Sequence, residues 1–384
     1  MQKKAIEISV IIPCYNNEST IYRAINSILL NAKNVVLEII CINDGSTDNT
    51  EKIINSLVKK HSNLKLISQE NIGPAKSRNN GMQEASGQLM LFLDADDYID
   101  KKISDLISPF KTCDKLEILT FGYNRVNNDG KTLFNTALDA KDYESGAICL
   151  DYLLNKDIGL TPMSSIYKTS FLKEKKIDFS SNTNFEDSYF FLKALSKSNH
   201  IKSSTLCYYN YVQQDFTRSK SYSKNNLIER CRLFCKILQL IKPVSVNFNN
   251  HRARFFIKTL NFIQVKECYL EVQNYLKSKL KNNNKIIIYG TGVSGQRLLS
   301  LLSTQNEKQI FFCDSNRDKN NTYIQQTKVV SIDNLNNHIN SESKIIIASC
   351  FIDSISVTLS KLGYSSNIKE LYIDELFEHL KVNS

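Results

Sequence analysis

A chain of 384 residues with 42% hydrophobic and 23% charged side chains has the make-up of an ordinary globular protein, long enough for two domains. No apolar run approaches the roughly 18 residues of a membrane span, and Glu7 interrupts the apolar start that a signal peptide needs, so a cytoplasmic protein is expected. The ten cysteines form no CxxC pair and sit mostly in apolar runs (Cys41, Cys313, Cys350), which points to reduced, buried thiols rather than disulfides or zinc. Net charge is +10, yet residues 205–285 hold fifteen Lys and Arg against four Asp and Glu, which leaves the remainder close to neutral. That segment alone prefers an anionic partner: a polyanion, a diphosphate or an acidic membrane surface.

In chain order, Ile8–Pro13 predicts a strand ending at the polar turn Cys14-Tyr15-Asn16-Asn17. Ser19-Thr20 can cap a helix whose apolar positions Ile21, Ala24, Ile25, Ile28 and Leu29 keep helical spacing. Val35–Ile42 predicts a second strand, closed by Asn43-Asp44-Gly45-Ser46-Thr47-Asp48 and followed by a helix over Thr50–Lys60. Leu64–Ile67 is a third strand, and the turn Asn71-Ile72-Gly73-Pro74 opens a helix carrying Lys76, Arg78 and Asn79. A fourth strand, Leu89–Leu93, runs into Asp94-Ala95-Asp96-Asp97. Alternation at this spacing means βαβ units and a parallel sheet.

Five apolar residues in a row suit a strand buried on both faces, and its carboxyl end is where open α/β sheets bind ligands. Like charges crowded there are costly unless a cation lies between them. Hard ions such as Mg²⁺ or Mn²⁺ take one or two carboxylates together with substrate phosphate oxygens. The same acids would also serve as a solvated turn and cap for the helix near Lys101. Three strand ends bring Tyr15/Asn16, Asp44 and Asp94/Asp96 to one crevice, which favours a ligand.

The segments Ser9-Val-Ile-Ile-Pro-Cys-Tyr-Asn16, Asn43-Asp-Gly-Ser-Thr-Asp48, Gly73-Pro-Ala-Lys-Ser-Arg-Asn79 and Asp94-Ala-Asp-Asp97 follow one another. Together they resemble the donor-binding half of a family 2 glycosyltransferase with the GT-A fold. The resemblance implies an inverting transfer from a nucleotide-diphospho-sugar, usually UDP-linked. By position it implies that Pro13, Tyr15 and Glu18 line the nucleoside pocket, that Asp44 hydrogen-bonds the base, and that Gly73 with Lys76 closes over base or ribose. Asp94, beside Ala95, would touch ribose or sugar, and Asp96 would bind the metal bridging the diphosphate. A carboxylate-held divalent ion suits a leaving group that develops negative charge.

Leu116–Tyr123 predicts a further strand and Asn127-Asn128-Asp129-Gly130 a hairpin turn. Glu186 and Asp187 open a helix with Phe190, Phe191, Ala194 and Leu195 on its apolar face; two acids there also suit the helix macrodipole. In the resembled family a Glu-Asp pair at this place supplies the catalytic base. Asp187 is thereby implied to take the acceptor's proton, and Glu186 to orient it or meet the acceptor sugar. Ser165 stands where many relatives carry Lys or Arg.

Tyr208–Tyr211 lead into Gln213–Ser221, comparable to a loop that folds over the diphosphate in family members, with Arg218 and Lys220 as its cations. Helices are expected over Leu227–Ile241, ended by Pro243, and over Arg252–Lys281. Their basic faces suit either solvent or a membrane surface holding a lipid-linked acceptor. After Asn282-Asn283-Asn284, the strand Lys285–Tyr289 meets Gly290-Thr291-Gly292-Val293-Ser294-Gly295 and a leucine-faced helix. A second strand, Ile310–Cys313, ends at Asp314, 19 residues after Gly295. This is a dinucleotide-binding pattern, with the helix N-terminus for a phosphate and the acid for a ribose. The segment resembles small Rossmann-like domains appended to some bacterial surface-polysaccharide enzymes, which bind a nucleotide or nucleotide-sugar or serve in assembly.

The expected architecture is α/β: a GT-A mixed sheet with helices on both faces over residues 1–204, a basic loop and helical connector over 205–284, and a small Rossmann-like parallel-sheet domain over 285–384. The expected function is an inverting, Mn²⁺- or Mg²⁺-dependent transfer from a UDP-sugar to a glycan or lipid-linked saccharide in capsule or O-antigen synthesis. Two alternatives stay open: a bifunctional enzyme with an NAD(P)-dependent C-terminal domain, and a non-catalytic nucleotide-sugar-binding scaffold. No nucleic-acid partner is expected, whereas peripheral inner-membrane contact and a homodimer are both compatible with the sequence.

Overall fold

Apolar strands alternating with amphipathic helices build the first half of the chain. The computed structural model describes residues 5–156, 158–180, 185–213, 223–260, 266–303, 308–349 and 352–382. Its opening elements are β1 (Ile8–Cys14), α1 (Ile21–Asn31), β2 (Leu37–Asp44), α2 (Thr50–Val58), β3 (Leu64–Gln69), α3 (Pro74–Glu84) and β4 (Leu89–Phe92). β1, β2 and β4 are buried almost throughout, which is why their apolar runs are continuous rather than alternating. α1 buries Ile21, Ala24, Ile25 and Ile28 on one face. Thr20 holds its N-cap position but makes no side-chain cap bond. α3 starts where Gly73 takes φ +91° and Pro74 enters the first turn, a place open to a residue without Cβ followed by one with fixed φ.

β5 (Tyr98–Ile99), α4 (Ile103–Thr112), β6 (Ile118–Val126), β7 (Thr132–Asn135), β8 (Lys141–Tyr143) and α5 (Gly146–Asn155) follow. β9 (Ser165–Lys168), α6 (Thr169–Glu174), α7 (Glu186–Lys197) and β10 (Ile201–Val212) complete the first unit. Its strands pair in the order β3-β2-β1-β4-β9-β6-β10-β5, with β7 beside β6 and β8 beside β10. β1 to β4 are parallel, and β9 is inserted antiparallel to both β4 and β6. The sheet is therefore mixed, and the expected turn at Asn127–Gly130 joins the antiparallel pair β6 and β7.

An aromatic cluster decides where α7 begins. Phe190 of α7 stacks on Phe179 at 4.0 Å, and Phe92 of β4 meets the two rings edge-on at 5.4 and 5.0 Å. Such contacts add to the burial of large apolar rings, and they hold the first turn of α7 beside the end of β4.

The chain divides into two compact units between Thr217 and Arg218. β10 continues across the expected boundary, with register shifts between Ser204 and Cys207 and again before Tyr209. A bulge breaks strand alternation, so the pattern there suggests an end where the ladder in fact goes on. The basic helices fall within the second of these units.

In the second unit α8 (Lys224–Ile241), α9 (Phe248–Leu260) and α10 (Lys266–Leu280) precede β11 (Lys285–Tyr289), α11 (Val293–Leu302), β12 (Gln309–Asp314), β13 (Tyr323–Ile324), β14 (Thr327–Ser331), β15 (Lys344–Ile347), α12 (Ile352–Lys361) and α13 (Ile373–Val382). The sheet order is β13-β14-β12-β11-β15, parallel except for β13. Part of the basic excess is met inside this unit. Arg252 of α9 donates two hydrogen bonds to Asp374 of α13 at 2.9 and 2.8 Å, and Lys279 pairs with Glu375 at 2.7 Å. Among the described residues no helix is long and apolar enough to cross a membrane.

Candidate active site

Two loops leave the carboxyl ends of β1 and β2 and are laced together by side-chain bonds. Asn16, held at φ 54°, donates its amide to Ser46 Oγ at 3.1 Å and accepts from the Thr47 amide at 2.8 Å. The Glu18 amide donates to Asp48 at 3.0 Å, while the Glu18 carboxylate accepts from the Asn49 amide at 2.9 Å. Pro13 lies opposite Ile42 at the end of the β1–β2 ladder, and Tyr15 begins the first loop half-buried. Asp44, 4% exposed, ends β2 and accepts from Gln69 Nε2 at 2.8 Å and from the amides of Ile72 and Gly73 at 2.9 Å each. It thus fixes the turn that launches α3. Lys76 stands exposed on the first turn of that helix.

The acidic turn after β4 is more crowded. Ala95 is buried, Asp94 and Asp96 are half-buried, and Asp97 is 1% exposed. Asp97 accepts from Tyr209 Oη at 2.5 Å and from the Val212 amide at 2.8 Å, which ties the turn to the last residues of β10. Across from it, Glu186 and Asp187 start α7. Between the two groups lies Arg78 of α3, with Nη2 2.8 Å from Asp94 and Nη1 2.8 Å from Asp187 and 3.9 Å from Glu186. The structure therefore brings Asp94, Asp96, Glu186 and Asp187 to one place, as the sequence suggests. Arg78, Asp97 and Tyr209 are partners to which the sequence reading attached no role.

Among the described residues carboxylates outnumber cations here, and their protonation reflects it. Burial, with the charges of Asp94 and Glu186, pushes Asp187 up to about 7 against the pull of Arg78. Of the three acids around Arg78 it is also the most open, with 37% of its side chain exposed against 28% for Asp94 and 18% for Glu186. Burial also raises Asp96, with Asp94 adding and Arg23 and Arg78 opposing. Burial alone would lower the Arg78 guanidinium, but Asp187 and Asp94 outweigh it and raise it.

A divalent cation fits this donor set. Asp96 is a desolvated carboxylate facing a second carboxylate, the arrangement that a positive ion relieves. Among the described residues no three His, Cys, Asp or Glu side chains form a complete ion cage. Mg²⁺-type sites commonly use one or two carboxylates and take the remaining ligands from substrate phosphates and water.

Residues 9–174 match the model for glycosyl transferase family 2. That stretch, a little under half of the chain, is similar to a family 2 glycosyltransferase domain. Residues 282–368 match a second model, described as C2185-like, N-terminal. The chain is 30% identical over 217 residues to the poly(ribitol-phosphate) β-glucosyltransferase of Bacillus spizizenii, covering 55% of this chain and 33% of that protein. It is 30% identical over 200 residues to the poly(ribitol-phosphate) β-N-acetylglucosaminyltransferase TarS of Staphylococcus aureus, covering 51% and 34%. The chain thus spans about a third of the length of these curated relatives. The structure of S. aureus TarS residues 1–349 with UDP superposes with a TM-score of 0.53 at 24% identity, over 71% of this chain and 79% of that one. Its complex with UDP-GlcNAc gives 0.53 at 19% identity, over 78% and 92%. This likeness shows a GT-A fold.

Arg218 and Lys220, the cations expected to close over a diphosphate, lie outside the described residues. In the second unit the glycine motif sits between β11 and α11, as its spacing predicts. A Cβ on Gly295 would come within 1.9 Å of the Gly290 carbonyl oxygen, whereas one on Gly292 would meet nothing within 4 Å. Asp314 is already engaged: it accepts from the Thr291 hydroxyl, from Lys319 Nζ at 3.0 Å and from the Asn316 amide at 2.9 Å. Burial would raise its carboxyl, but these bonds hold it below the usual range.

Proposed function

We propose that the protein is an inverting, divalent-metal-dependent glycosyltransferase that moves a sugar from a UDP-sugar to a saccharide or lipid-linked acceptor in bacterial surface-polysaccharide synthesis. The observation that carries this reading is the meeting of Asp94 at the end of β4 with Asp187 at the start of α7, each 2.8 Å from Arg78. The family domain and the TarS-like fold support it.

In this reading the acceptor hydroxyl gives its proton to Asp187 while its oxygen attacks the anomeric carbon. The bond from that carbon to the diphosphate breaks on the opposite face, and UDP leaves with the electron pair. A raised carboxyl pKa suits a general base working near neutral pH. Asp96 would hold a Mg²⁺ or Mn²⁺ ion, whose charge offsets that developing on the diphosphate. Pro13, Tyr15 and Glu18 form one wall of the nucleoside pocket and Gly73 with Lys76 another. Asp44 both braces the 71–73 turn and faces the base. The names of the relatives favour glucose or N-acetylglucosamine as the sugar and a polyol-phosphate polymer as an acceptor class. Peripheral contact with an anionic membrane is a weaker arm, since Arg252 and Lys279 are paired within their own unit.

The test is release of nucleoside diphosphate from UDP-glucose, UDP-GlcNAc and a wider sugar-nucleotide panel by the full chain, with Mn²⁺ and then with EDTA. Slow, metal-dependent hydrolysis of one UDP-sugar is expected. Absence of release from every donor, or release indifferent to EDTA, would overturn the reading.

A further inference from the structure

Arg78 lies on the face of α3 that also buries Ala75, Ser77 and Gly81, and only 4% of it is exposed. A guanidinium taken out of water needs its charge met by partners, and this one draws them from two separate elements. Nη2 reaches Asp94 after β4, and Nη1 reaches Asp187 at the start of α7. Its orientation is set from below by the Phe179 ring, 5.3 Å from the guanidinium carbon. Phe179 is in turn held by Asn79, the next residue on α3, through two reciprocal 2.8 Å bonds to its backbone. The buried Arg78 Nε–H finds no acceptor among the described residues. The fork is therefore aimed at the two carboxylates at the expense of its own third donor.

We propose that Arg78 is a positioning residue for the transfer reaction: it bridges the donor side and the base, holding the Asp187 carboxylate in register with Asp94. The inference rests on the reading of Asp187 as the base. A planar fork reaches the two acids through separate nitrogens, whereas an ammonium supplies the charge from one nitrogen that must sit close to both. Among the described residues the charged groups facing Asp187 are Arg78 from α3, Asp94 from the end of β4 and Glu186 on its own helix. Arg78 is the only cation among them.

Full-length R78K and R78Q are to be compared with wild type and D187N in hydrolysis of UDP-GlcNAc or UDP-glucose, whichever the panel shows to be a donor, from pH 5 to 9. Melting curves are recorded alongside. R78Q should lower kcat by about a hundredfold with little change in donor KM. It should also move the acidic limb of kcat/KM upward by about one to three pH units, the usual effect of removing an opposite charge beside a carboxylate. R78K should restore the limb yet leave kcat about tenfold low, because one nitrogen does not reproduce the fixed spacing of the fork between the two carboxylates. A folded R78Q with the wild-type limb and kcat would overturn the proposal. If R78Q does not fold, R78K with fully wild-type kcat would do the same. D187N with undiminished turnover would instead remove the base assignment, so the two failures are distinguishable.

Discussion

Both units place an aspartate at or just past the carboxyl end of a strand, beside the start of a helix, and they treat its charge in opposite ways. In the second unit Asp314 meets one lysine, one hydroxyl and one backbone amide, and its carboxyl is held low. In the first unit Asp94, Asp96, Asp97, Glu186 and Asp187 face chiefly Arg78 and Arg23, and burial pushes Asp96, Asp97 and Asp187 up. A satisfied acid stabilises a fold, whereas a surplus of buried acid invites a cation and a proton. Perturbed carboxyls in a cleft are characteristic of chemical sites, so the contrast agrees with placing the proposed chemistry in the first unit.

Substitutions can break or sharpen that contrast. Asp187→Asn should have the largest effect, about a thousandfold or more on turnover with donor binding by calorimetry nearly unchanged, since it removes the proton acceptor but not the donor pocket. Asp96→Asn should cost about a hundredfold and abolish stimulation by Mn²⁺; undiminished Mn²⁺-stimulated release would remove the metal assignment. Glu38, at the opposite end of β2 and 2% exposed, is the satisfied acid of the same sheet. Burial would raise it, but bonds from Lys65, Ser9 and Ser86 outweigh this and lower it to about 2. Its folded pKa lies below its ordinary value of 4.5. The stability it contributes is therefore full above that value and lost as pH falls toward 2, by about 3 kcal/mol. Acid unfolding of Glu38→Gln should be correspondingly less steep over that interval, as followed by circular dichroism.

A smaller effect is expected of pH on the wild-type rate. A base that must be ionised, with its pKa near 7, gives a kcat/KM that falls about tenfold per pH unit below that point. A flat profile between pH 5 and 7 would contradict this. Smallest of all is Asp314→Asn, about 1 kcal/mol in stability because Lys319 is partly exposed, with donor hydrolysis unaltered. If donor hydrolysis fell with it, the contrast between the units would fail.

The sequence shows much of this arrangement, and the exceptions have physical causes. The strand at Leu89 and the acids that follow were legible because an apolar run ending in three carboxylates has few structural explanations. Arg78 was not, because a single arginine in a polar helix looks solvated; its signal was the shared face with Ala75 and Gly81, small residues that let the helix approach the sheet. The extent of β10 was hidden by its bulges, and the acidic partners of Arg252 and Lys279 lie about 100 residues away, on α13. β13 spans only two residues, too short for any periodicity.

The lacing between the β1 and β2 loops gives this end of the sheet, where the proposed nucleotide pocket lies, a cooperative character. The amides of Asn16, Glu18, Thr47 and Asn49 each donate to a side chain of the opposite loop, and that of Asn17 to Thr50 at the start of α2. None of them can open without releasing a partner that holds another, so they belong to one unit of local unfolding. Their deuterium uptake should follow a single common rate, and a nucleotide settling on either loop would slow it for both.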